Sequence, residues 1–153
     1  MTQIEGLGVV ESVDKIALTD PKYEDYRGQE ISIVLSKVND PKLLFDYFEE
    51  FDKKYRTVSK EEDGKCFPCG RYANALELTM KRLSEINTDE SARYLVAILE
   101  KGIVSGHAHL SEELLHHIAE TGPSSLPYLK GIESSNQLAR TAIGCIEKHE
   151  PCH

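Results

Sequence analysis

Cys66-Phe67-Pro68-Cys69 is the one short stretch whose residue types and spacing carry chemistry by themselves. Two thiols at this spacing can chelate a metal ion, or form a redox disulfide when a following helix start lowers a thiol pKa. The C-terminus adds Cys145, His149, Cys152 and His153. Cys66, Cys69, Cys152 and one of His149 or His153 would supply four ligands for zinc. The two halves of that set lie about 80 residues apart and match no standard finger spacing. The competing reading leaves the cysteines as free thiols and the chain without a cofactor, with Cys145 as a core or flanking packer. A thioredoxin-like fold is not supported, because its βαβ context is missing.

His107, His109, His116 and His117 invite a metal or acid–base reading. Adjacent helical residues such as His116 and His117 point about 100° apart and rarely converge on one ligand. Solvated or interface histidines are therefore the expectation. No glycine-rich phosphate loop and no nucleophile elbow is present, so no catalytic residues are expected.

The elements that must carry these residues read as helices separated by short breaks. Asp20-Pro21 and Asn39-Asp40-Pro41 each pair a capping side chain with a proline suited to the first helical turn. The first opens a helix carrying Tyr23, Tyr26, Ile31, Leu35 and Val38. The second opens one with Leu44, Phe48, Phe51 and Tyr55 at i, i+4, i+7 and i+11, a single apolar face. Residues 57–68 read as a charged connection, followed by a helix from Gly70 to Ile86. Later helices are expected over Ala92–Leu99, from a Ser111 cap to Gly122-Pro123, over Ser124–Ile132 and over Ser135–His149. No useful period-2 alternation calls for a strand.

The chain has 153 residues, 40% of them hydrophobic, and 18 basic against 26 acidic side chains, a net charge of −8. That size suits one domain. The acidic balance disfavours the phosphate backbone of nucleic acid and suits a basic protein partner, though it also serves solubility. No apolar stretch reaches the roughly 20 residues needed to cross a bilayer, so no membrane partner is expected. Few cysteines and no secretory leader make a reducing cytoplasm the expected location.

The chain also repeats itself. With Ala92-Arg93 laid over Ala139-Arg140, Leu83…Ile86 meets Leu129…Ile132, and Ile98-Leu-Glu-Lys101 meets Cys145-Ile-Glu-Lys148. Asn87…Glu90 and Ser134…Gln137 both have the form of a capping box. Positions 92, 95, 96 and 99 form one apolar helical stripe, as do 139, 142, 143 and 146. Asp89 and Asn136 stand one turn before Arg93 and Arg140, so each polar residue can meet its arginine.

The run from Ile118 through Leu126-Pro-Tyr-Leu129 and on to Arg140 resembles the hairpin of the HEAT-repeat family of α-solenoids. The likeness is clearest from Leu83 to Lys148 and only suggestive from Pro21 to Tyr55. It breaks at residues 57–68 and 103–110, and nothing before Pro21 shows it. The resemblance implies an all-α fold, a short irregular α-solenoid of stacked antiparallel helical hairpins. One domain would span 1–153: divergent helices in 1–56, a charged loop with the Cys pair in 57–69, recognisable repeats in 70–149 and a tail in 150–153. HEAT-like metalloenzymes that hold iron through His-Glu pairs are relatives, but this chain offers only His149-Glu150, so that activity is not carried over.

Such stacks generally use their second helices to bind proteins. Here that surface would hold Tyr94, Ala97 and Lys101 on one helix and Thr141, Gly144 and Lys148 on the other, with Tyr94 as anchor. The expected function is a non-enzymatic protein-binding module, in its sharper form an immunity- or antitoxin-type inhibitor of a basic partner. The rival is a zinc- or thiol-dependent protein using Cys66 and Cys69.

Overall fold

The computed structural model describes residues 8–14, 31–61, 67–101 and 108–149. It is all-helical, with no strand among the described residues. Helices α1 (residues 8–14) and α2 (residues 31–36) come first. They are followed by α3 (Pro41–Glu61), α4 (Phe67–Ile86), α5 (Asp89–Lys101), α6 (Ala108–Thr121), α7 (Leu126–Ile132) and α8 (Gln137–Glu147). A 3-10 turn, Gly122–Ser125, joins α6 to α7. The chain forms two compact units, Met1–Arg82 and Leu83–His153, with the boundary inside α4. No described helix is long and apolar enough to cross a membrane. The helix start at Asp20-Pro21, with Tyr23 and Tyr26, lies outside the described residues.

In the first unit, α3 begins where the Asp-Pro signal places it. The Asp40 carboxylate accepts the Lys42 amide at 3.0 Å, satisfying one of the first-turn donors. Leu44, Phe48 and Phe51 are fully buried and Tyr47 nearly so, while Tyr55 is half-buried. The helix then continues to Glu61, into the stretch read as a connection, and α4 begins at Phe67 rather than Gly70. No Gly or Pro interrupts the chain before Gly64, Lys and Glu are good helix formers, and Pro68 fits a first turn. Asp14 ties the helices together, accepting from the Tyr72 hydroxyl at 2.7 Å and pairing with Lys54 Nζ at 2.9 Å. Burial, and then the bond to Asp14, drive the Tyr72 hydroxyl pKa far up. Arg82 secures the α2–α3 connection, donating to the Val38 carbonyl at 3.0 Å and to the Asn39 side chain at 2.5 Å.

In the second unit, α4 ends on Asn87, whose φ of 50° is the left-handed conformation that asparagine tolerates better than most residues. This sets the next helix one residue later than the Asn87…Glu90 box implies. Thr88 and Ser91 cap each other instead. The Ser91 amide donates to Thr88 Oγ1 at 3.1 Å, and the Thr88 amide donates to Ser91 Oγ at 2.8 Å. Helix α5 buries Ala92, Leu95, Val96 and Leu99, and α8 buries Ala139, Ala142, Ile143 and Ile146. Helix α6 packs on both α5 and α8, and so does α7.

Helix α6 starts at Ala108, a turn before the Ser111 cap, and stops on Gly122, whose φ of 65° only glycine takes without strain. The cap of α8 is Asn136, not Ser134. Its side chain accepts the Ala139 amide at 3.0 Å and donates to the Leu99 carbonyl at the end of α5, at 3.5 Å. Asn136→Ala removes both bonds and should cost about 1 kcal/mol. Thermal melts should show Asn136→Asp, which keeps the capping oxygen, much closer to the parent; equal losses would mean the cap contributes nothing.

Candidate functional site

Leu110, Leu114, His117, Ile118 and Thr121 stand at i, i+4, i+7, i+8 and i+11 on α6, and all five are buried. His117 thus occupies a core position in a mostly apolar stripe, whereas the sequence reading expected a solvated or interface residue. The register counted from Leu110 was the signal that could have found it. Its neighbour His116 is exposed.

The two rings do converge, through a third residue. Glu120 is i+4 from His116 and i+3 from His117, and on a helix both offsets bring side chains together. Its Oε1 lies 3.1 Å from His116 Nε2 and 3.2 Å from His117 Nδ1. Ser84 Oγ on α4 lies 3.3 Å from His117 Nδ1, and Glu113 sits 3.8 Å from Nε2. Burial lowers the His117 pKa and outweighs the opposing pull of Glu120 and Glu113.

Serine, histidine and glutamate in contact suggest a nucleophilic relay, but the geometry is wrong for one. In a relay the hydroxyl and the carboxylate bond opposite ring nitrogens. Here Ser84 and Glu120 both approach Nδ1, and Glu113 on the Nε2 side stands at 3.8 Å, beyond hydrogen-bond reach.

Beside this cluster opens a cleft of about 410 Å³. Its lining includes His116, Ala119, Glu120, Pro123, Ile146 and His149. His149 follows α8 with a φ of 56°, left-handed backbone in which histidine is over-represented. Cys145 also lines the cleft, half-buried and disulfide-bonded. That corrects the reading of Cys145 as a free thiol, and a disulfide sulfur is no thiolate ligand. Among the described residues no three His, Cys, Asp or Glu side chains converge as a metal site. Of the proposed zinc ligands, only the His149 side chain is described; Cys66, Cys152 and the side chain of Cys69 lie outside the described residues, as does His153. Comparison with protein-family models, with curated proteins and with solved structures returns no match to this chain.

The surface selected from the repeat lies elsewhere on the same unit. Tyr94, Ala97 and Gly144 are half-buried, and Lys101, Thr141 and Lys148 are exposed. None of the six is in the cleft lining. Around Tyr94 the structure adds partners that spacing did not supply. Arg93 stacks 5.0 Å from the centre of the Tyr94 ring and donates to its hydroxyl at 3.2 Å. Asp89, expected opposite Arg93, accepts from the Tyr128 hydroxyl of α7 at 2.6 Å. Ionising Tyr128 would break that bond, so its pKa is raised, with Arg93 close enough to pull the other way.

A second cleft, of about 470 Å³, belongs to the first unit and includes Val9, Ser12, Val34, Leu43 and Tyr47 in its lining. Among the described residues its one charged lining residue is Lys37.

Proposed function

We propose that this chain is a non-catalytic protein-binding module, a short and irregular HEAT-like stack of helical hairpins that holds a basic protein partner. The observation that carries the reading is the patch formed by Asp89, Arg93, Tyr94 and Tyr128. Two tyrosines and an arginine, the residue types that dominate binding hot spots, are held there in defined geometry before any partner arrives. Preorganised side chains lose less entropy on binding, which leaves more of the contact energy for affinity. The net charge of −8 supports a cationic partner and supports the sharper form, an immunity- or antitoxin-type inhibitor.

The test is capture of partners from native lysate on the immobilised chain, with Tyr94→Ala beside it. Tyr94→Ala should retain the circular dichroism of the parent and bind the captured protein about tenfold or more weakly. Rising salt should weaken the parent complex, since exposed charge steers it. Retention of no specific protein, or equal retention by Tyr94→Ala, would overturn the reading.

A further inference from the structure

Glu120 has one oxygen committed and one to spare. Oε1 takes both imidazoles, and no contact to Oε2 is recorded among the described residues. The side chain is half exposed, at 50%. A carboxylate only accepts, so His116 must carry its proton on Nε2 and His117 on Nδ1. These two donors fix the carboxylate's orientation, with Ala119, Pro123 and Ile146 forming apolar wall beside it. The cleft volume of about 410 Å³ is of the size that holds a single ligand group. An apolar wall ending at a fixed anion matches the amphipathic build of lysine and arginine, an aliphatic stem with a cationic head.

The wider charge points the same way. Residues 83–153 hold 10 acidic against 5 basic side chains, so they carry −5 of the chain's −8.

Resting on the protein-binding reading above, we infer that this cleft seats an arginine or lysine side chain of the basic partner on Glu120. The groups that face the seat can be named. Helix α6 contributes His116 to the lining, with His117 bonded behind Glu120 and touched in turn by Glu113 and by the Ser84 hydroxyl of α4. The α8 side contributes His149 and Cys145, whose disulfide does not titrate. The 3-10 turn contributes the uncharged Gly122 and Pro123. Among the described residues the charged groups acting on His117 are those of α6 alone, so α5 adds none. An anionic guest would meet Glu120 head-on. A metal ion would find protons on the two ring nitrogens that face it.

The test uses fluorescence anisotropy of a labelled nona-arginine peptide with the full chain, at fixed ionic strength, and nona-citrulline as the uncharged control. At pH 7.5 nona-arginine should bind and nona-citrulline should not. Glu120→Gln should weaken binding about tenfold, as expected for losing a charge-assisted contact, and Ala119→Leu should do the same by filling the cleft without touching charge. Glu112→Gln, an exposed acid outside the cleft lining, should change affinity less than about twofold. Circular dichroism checks that each variant keeps its helices. Equal effects of Glu120→Gln and Glu112→Gln, or unchanged binding by Ala119→Leu, overturn the inference. If binding then still depends on Tyr94, the protein-binding reading stands without it; if no cationic peptide or protein binds at all, both fall.

Discussion

Phe51→Ala is expected to lower stability by about 3–5 kcal/mol, a large share of the roughly 5–15 kcal/mol that holds a typical domain together. The magnitude follows from where the ring sits. Phe51 is 0% exposed, on the face of α3 that also buries Leu44 and Phe48, and its ring centre lies 6.5 Å from that of Tyr47. Truncation forfeits the transfer energy of the ring and leaves a void that the neighbours can only partly fill. They are poorly placed to move in. Asp14 holds Lys54 of α3 and Tyr72 of α4 by direct bonds, so the surrounding helices are tied together from the side. Phe45→Ala on the same helix is the internal comparison. That ring is half-buried, so the change should cost distinctly less. Urea melts followed by circular dichroism would show the Phe51→Ala midpoint falling at unchanged slope. A loss under about 1 kcal/mol would mean that the ring is not held in a packed core.

How much of this was legible in the sequence depended on whether one signal acted alone or several competed. The apolar stripes 92, 95, 96, 99 and 139, 142, 143, 146 are all buried, because period and composition act together over two turns. The start of α3 was equally plain, since Asp40-Pro41 leaves little choice. Asn87, Thr88 and Asp89 can each begin a helix, and the winner was decided by Asn87 first closing α4 in left-handed backbone. At Ser134, Ser135 and Asn136 the choice fell to the residue whose amide also reaches the Leu99 carbonyl, a contact across 37 residues that local spacing does not contain. The pairing of two adjacent histidines failed as a local rule for a similar reason. The rings do diverge, yet a carboxylate at i+3 from one and i+4 from the other reaches both. The cleft could not be read at all, because its walls come from α6 and from the end of α8, and only packing brings those together.

The same cluster should make the second unit acid-sensitive through His117. Burial lowers its pKa below the ordinary 6.5, with Glu120 and Glu113 opposing but not winning. The unfolded chain therefore takes up a proton at a pH where the folded chain still refuses it. Stability from the neutral, buried ring is fully present above about pH 6.5 and drains away as pH falls from there toward the folded value. One proton taken up on unfolding sets a slope of at most about 1.4 kcal/mol per pH unit. His117→Leu fills most of the same space, cannot be protonated, and gives up the bonds to Ser84 and Glu120. At pH 8 the variant should therefore stand level with the parent or somewhat below it. Between pH 6.5 and pH 5 the two stability curves should close or cross, because only the parent pays the protonation cost while the other histidines titrate in both. Urea midpoints at matched pH values measure the difference directly. Parallel curves would mean that His117 is not held neutral by burial. A parent that gains on the variant in acid would mean that the two glutamates, rather than desolvation, govern the ring, since a raised pKa stabilises the folded state on the acid side.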